Sequence, residues 1–392
     1  MPMRPPADKP SDGLMIDRRG QPDLLGREER PADRLEASSC WSTLIVRDVM
    51  TLLSTRTTGI RRDLAGMICR YGPAADALVY PLALAFLHLS GRHFVQATNA
   101  SGRLLAGFAI CLAAALLCSV PVLSFTVILR SDRIRERWLA HVAFAAPPLF
   151  TLIGVGFFLL GAPNADYVIW VVVWLGVLAY AAFASPQATV QVRPASWITT
   201  VHALTGATFI VSFLVWHLAN HTLAIWSLDT HNAVLLLLRK WYRSDLVQPA
   251  LVGLLLCQMA TGARLLQAKI PQAGDVYSSI QTATAGYLLA YISSHLIAVF
   301  ILGRWLLGID TNFAWASGAP SGLLLDSWNV RLIPHYSWAV LFVICHLAMG
   351  LRAILLGHRV RVAVADRAAW IICSAGLAVS LVIATAQLRV GG

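Results

Sequence analysis

Charge is scarce in this chain: Asp, Glu, Lys and Arg make up 13% of its 392 residues, while 57% are hydrophobic. Soluble domains hold roughly 45–50% apolar residues, so a water-soluble fold has no place for the surplus. Negative charge is the scarcer sign, with 20 Asp and Glu against 31 Lys and Arg and a formal net charge of +11. The excess arginines flank apolar runs rather than forming one basic face, so nucleic acid is not an expected partner. The seven cysteines (Cys40, Cys69, Cys111, Cys118, Cys257, Cys345, Cys373) include no CxxC pair, and five lie inside apolar runs. That spacing predicts neither a disulfide framework nor a thiolate metal site. Residues 1 to about 40 also lack the short apolar core and small-residue cleavage site of a signal peptide, so the first span itself is expected to direct insertion.

What the chain does have is long apolar runs. A helix needs about 18–20 apolar residues to cross a bilayer core of about 30 Å. Only helices or closed barrels satisfy their backbone in lipid, and these runs are continuous rather than alternating. The expected fold is therefore all-α, a polytopic transmembrane helical bundle of about nine spans. They fall at roughly 72–90, 104–129, 138–161, 166–185, 199–224, 247–267, 281–306, 334–356 and 368–388. Pro121 and the pair Pro147-Pro148 predict kinks within them. Membrane lipid is the first expected partner.

Three regions follow from this pattern. Residues 1–71 read as a disordered tail, rich in Pro, Asp, Arg and Glu, with either an interfacial amphipathic helix or a mobile segment over 41–70. Residues 72–190 are a four-span region to which no chemistry is assigned. Its histidines, His88 and His141, stand at different depths. Residues 195–392 hold five spans. The charged links at Arg130–Arg137, Arg193, Arg264 with Lys269, and His358–Arg367 share one side, and Arg239, Lys240 and Arg243 sit on the opposite one, which makes the excess modest. The positive-inside bias then puts the N-terminus in the cytoplasm.

Six histidines fall within spans: His88, His141, His202, His217, His295 and His346. Intramembrane ionisable groups are costly and mark function, although a single neutral imidazole can simply bond a neighbouring carbonyl. Depth separates the two readings. At 1.5 Å per residue, His217 and His295 lie about 26 and 21 Å along their outward-running spans. Gln258 and His346 lie about 17 and 18 Å along the inward-running ones. Four residues thus make two layers, and two axial ligands of one haem iron must share a depth. Ring bulk against a helix also asks for glycine nearby: Gly262 and Gly350 stand four residues after Gln258 and His346, and Gly206 eleven before His217. Gln258-Met-Ala-Thr-Gly262-Ala-Arg264 and His346-Leu-Ala-Met-Gly350-Leu-Arg352 share one pattern, whose arginines would meet haem propionates at the inner interface.

The stretches His202-Ala-Leu-Thr-Gly206, Phe213 and His217-Leu218-Ala-Asn220-His221, with Gln281 to His295 and His346-Leu-Ala-Met-Gly350, resemble the cytochrome b membrane anchor of succinate dehydrogenase and fumarate reductase in its single-chain, five-helix, dihaem form. The likeness covers residues 195–392. It implies b-type haem held by His217 and His295 on the outer side. It also implies His346 as a ligand of an inner haem, whose partner position carries Gln258. Glutamine is a poor iron ligand, so one haem is expected and the second is in doubt. His202, about 22 Å from His217 by helical rise, is a lesser substitute. Ser293, Ser294 and Tyr291 are expected near His295, with His221, His231 and Asp245 as weak candidates for a quinone site. The resemblance further implies quinone as substrate, flavoprotein and iron-sulfur partners on the cytoplasmic side, and a bacterial inner membrane. Two other readings stay open: a proton-relaying transporter, which lacks acidic residues deep in the spans, and a haem-poor structural anchor, which Gln258 favours.

Overall fold

The computed structural model describes residues 59–183 and 194–390, and of 59–64 only the backbone course. Most of the expected tail, the larger part of the expected interfacial helix over 41–70, and Arg193 lie outside the described residues. The described chain runs α1 (Gly59–Gln96), α2 (Ala100–Arg130), α3 (Ile134–Phe144), α4 (Ala146–Leu159) and α5 (Ala165–Phe183). It continues with α6 (Ser196–Phe209), a π-helical turn Ile210–Leu214, α7 (Val215–Leu223), α8 (Leu228–Tyr242) and α9 (Val247–Lys269). Next come α10 (Val276–Leu296), a π-helical stretch Ile297–Leu306, the short α11 (Phe313–Ala316), α12 (Leu332–Gly357) and α13 (Val362–Leu388). No strand occurs among the described residues. Eight helices, counting α6–α7 as one, are long and apolar enough to cross a bilayer, and the bent pair α3–α4 makes a ninth if it is one span. The all-α polytopic expectation stands, with span positions displaced by a few residues.

Proline decides where spans break. Pro147 and Pro148 have no N–H to give to the preceding turn, and the chain divides there into α3 and α4, bent by 61°. Pro121 does not interrupt α2, and α1 runs through Pro73 and Pro81. At Pro81 the repair is visible. Its ring leaves the Ala77 carbonyl without an intrahelical donor, and the Trp170 indole of α5 donates to that oxygen at 2.8 Å.

Two apolar clusters position everything else. Tyr80, Phe150, Trp170 and Trp174 join α1, α4 and α5, with the Phe150 and Trp170 rings edge to face at 5.2 Å. Phe144 of α3 stacks on Phe342 of α12 at 5.0 Å, and Tyr287 of α10 meets Phe342 edge-on at 4.9 Å. The four N-terminal spans are thus packed on α10 and α12, and the residues from Asp63 onward form one compact unit. On the other faces, Leu104, Leu105 and Phe108 of α2 and Val168 and Val172 of α5 point outward, as lipid contact requires.

One ion pair ties the two runs of helices together. Arg331 donates to Asp166 at 2.6 Å, with side chains 1% and 0% exposed. The guanidinium also lies over the Phe150 and Trp328 rings, at 4.5 and 4.7 Å from their centroids. Gly154 is what admits it, because a β-carbon there would collide with the guanidinium. Removing one partner strands a buried charge, so Asp166→Ala is expected to cost roughly 3–5 kcal/mol. It should appear as a lower melting temperature of the detergent-solubilised protein, largely restored by replacing both partners with apolar side chains. An unchanged melting temperature in Asp166→Ala would rule the tie out.

Candidate functional site

The five C-terminal spans enclose a cavity of about 360 Å³, walled mainly by Leu, Ile, Val and Phe and reached by four of the predicted histidines and Gln258. That volume lies in the usual range of small-molecule and cofactor sites, ~300–1,000 Å³. α7 supplies His217 and α10 supplies His295, with ring centroids 6.5 Å apart and planes at 67°. α6 supplies His202 and α12 supplies His346, at 6.4 Å and 86°. Both pairs line the one cavity.

The first pair is the one expected from depth. The second is not: His346 is paired across the cavity with His202. Gln258 stands beside them, its amide nitrogen 3.1 Å from His202 Nε2 and its oxygen accepting from Thr205 Oγ1 at 2.6 Å. Hydropathy windows misplace the layer because the helices outrun the apolar stretch. The last-but-one span, Asn329–Gly357, has 29 residues, and α6 begins at Ser196 rather than 199. A span of that length measures about 43 Å against a core of about 30 Å, so tilt and overhang shift each residue's level.

Among the other expected site residues, Gly206 and Gly262 line the cavity. A β-carbon at Gly206 would come 3.1 Å from the Gln258 amide, and one at Gly262 would come 3.2 Å from His202 Cε1. Gly350 faces Gln281 and is not part of the cavity wall. The two arginines expected to meet propionates lie elsewhere. Arg264 is exposed and bonds Gln267, while Arg352 pairs with Asp366 at 2.6 Å and covers the Tyr277 ring at 3.6 Å. Being in reach of the surface, each finds a polar partner there. His88 bonds the Leu324 carbonyl and His141 is buried in α3, far from both pairs in sequence and outside the cavity. Tyr291 stacks on His295 at 5.5 Å, whereas Ser293 and Ser294 bond carbonyls of their own helix.

Cations do meet the cavity, but from α8. His231, Leu235, Arg239 and Arg243 recur every four residues, so α8 turns that face inward while Leu236, Leu237 and Trp241 point outward. The same four-residue spacing is present in the sequence. His231 is buried and His221 half-buried in the wall, with rings stacked 5.5 Å apart; Asp245 alone is exposed as a loop residue would be. His221 Nε2 also lies 3.2 Å from His217 Nε2. The π-helical segments flank His217 and His295 directly, a placement no sequence signal announced.

Two imidazoles can hold one metal between them if their separation is right. With metal–nitrogen bonds of about 2 Å and a ring nitrogen about 1 Å from its centroid, trans ligands have centroids about 6 Å apart. Both pairs meet that distance. No group of three or more His, Cys, Asp or Glu among the described residues is placed to hold a bare metal ion. A porphyrin supplies four donors itself and asks the protein for two, so the donor sets fit an iron porphyrin. Compared with protein-family models, curated proteins and solved structures, the chain matches none.

Asp310 closes the α8 end, accepting from Arg239 at 2.7 Å and Arg243 at 3.2 Å. The Arg239 hydrogen bond holds its carboxyl below the usual range. A depressed folded value means the latch is fully present above the unfolded value, near 3.9, and is lost as pH falls through the folded one. Asp310 is 62% exposed, so the contribution is under about 1 kcal/mol. Amide exchange in α8 is expected to quicken as pH falls below about 4, relative to the intrinsic exchange rate and to α13; Asp310→Asn should exchange quickly at every pH. Equal pH dependence in both proteins would exclude the latch.

Proposed function

We propose that this chain is a haem-bearing membrane subunit of the cytochrome b kind, passing electrons between quinone in the bilayer and a soluble flavin and iron-sulfur partner. The observation that carries the reading is the pair His217 and His295: imidazoles from two non-adjacent helices, 6.5 Å between centroids, facing one apolar cavity inside the membrane. When bound, an iron porphyrin would supply one-electron chemistry. The chain's own residues would do the rest. His217 and His295 would hold the iron, Tyr291 keeps the His295 ring in place by stacking, and the leucine and valine walls exclude water. Arg239 and Arg243, which pair with Asp310, and Arg304, which bonds Gln248, line the α8 end of the cavity and would be the cations nearest a bound group's carboxylates, the role first expected of Arg264 and Arg352.

A second reading rests on a different contact. The His217–His221 nitrogen separation of 3.2 Å and the His221–His231 stack make a file of imidazoles from α8 into the cavity, the kind of arrangement that relays protons in a transporter.

A reduced-minus-oxidised visible spectrum of the purified full chain, with haem quantified per chain, separates the two. The cytochrome reading expects the α-band of a low-spin b-type haem, with one haem per chain lost in His217→Ala and in His295→Ala. Absence of porphyrin from protein made in haem-replete cells would sink it and leave the relay.

A further inference from the structure

We infer that His202 and His346 form a second iron-porphyrin site, with the imidazole of α6 taking the place that Gln258 holds in the expected pattern. The inference rests on the haem reading of the first pair and extends it: both sites then hang on one span, through residues 202 and 217.

The hydrogen bonds fix which nitrogen each ring offers. His346 Nδ1 lies 3.1 Å from the backbone carbonyl of Gln281, which can only accept, so Nδ1 carries the proton. His202 Nδ1 lies 3.1 Å from Thr261 Oγ1. That hydroxyl has one proton and donates it to the Cys257 carbonyl at 2.7 Å, so it accepts from His202 Nδ1–H. In both rings the lone pair is therefore on Nε2. A neutral imidazole whose far N–H is tied to an acceptor is the state in which histidine ligates metal. The Gln258 amide, 3.1 Å from His202 Nε2, is a donor resting on that lone pair, and it is the end of a flexible side chain that an incoming metal displaces.

The spacing and the walls agree. Centroids 6.4 Å apart match the first pair's 6.5 Å. Glycine stands where bulk would interfere, Gly262 against His202 and Gly206 against Gln258. Both histidines and both glycines line the cavity that holds the first pair.

The test uses the full chain purified from haem-replete cells, with haem per chain, redox potentiometry and electron paramagnetic resonance as readouts. Wild type is expected to carry two low-spin haems with two midpoints. His202→Ala and His346→Ala should each leave one haem with the same surviving midpoint, and that survivor reports an intact fold. Gln258→Ala should keep both. His202→Met keeps a ligand and should raise one midpoint alone, since thioether ligation favours reduced iron. The inference is overturned by a wild type with a single haem that His202→Ala leaves in place. It is equally overturned if His202→Ala keeps two haems while Gln258→Ala loses one. Either result spares the first site; a chain with no haem at all rejects the first site as well.

Discussion

Lipid offers no hydrogen-bond partner, and that constraint organises this protein more than any other. At several places where the backbone or a side chain exposes polarity inside the bundle, another helix answers it. Trp170 answers the carbonyl freed by Pro81. Arg137 of α3 spreads its guanidinium over the carbonyls of Ile128, Ile270 and Gln272, fastening α3 to the turn after α9. Arg331 and Asp166 satisfy each other under an aromatic cover. Against that background, four imidazoles, those of His202, His217, His295 and His346, line one apolar cavity.

The four N-terminal spans acquire a physical role from the same rule. The aromatic contacts among Phe144, Tyr287 and Phe342 place α3 against α10 and α12, the helices that carry His295 and His346. The Tyr287 hydroxyl also donates to the carbonyls of Pro334 and His335 in the first turn of α12, a hydrogen bond added to the helical ladder. These spans hold α10 and α12, which carry His295 and His346, at a fixed spacing.

Composition and run length made the fold legible, because a span is a property of twenty residues together and tolerates errors at its ends. The pair His217 and His295 was legible because both lie on outward-running spans at nearly the same distance from the inner end. His202 lies six residues past Ser196, the first residue of α6, and its level depends on overhang and tilt that hydropathy does not encode. The π-helical turns and the pairing of Arg331 with Asp166 were illegible because they are settled by contacts between segments 100 or more residues apart, or by backbone choices without a residue signature. The inward face of α8 was different. Its four-residue repeat is in the sequence, but the segment lies between two apolar spans and has no apolar run of its own long enough to mark it as part of the bundle.

Glutamine at 258 and histidine at 202 are best understood as one feature. Their terminal nitrogens already stand 3.1 Å apart, so both side chains address the same space opposite His346. Imidazoles at both positions would compete for that space, and only one could lie across from His346 at a ligand's distance. The glycines make the arrangement reciprocal: α6 contributes Gly206 under Gln258, and α9 contributes Gly262 under His202. Each helix thins its wall where the other projects a polar group. On the haem reading proposed above, glutamine on α9 would cost no ligand, because the close approach of α6 and α9 brings His202 opposite His346 and Thr261 orients it there.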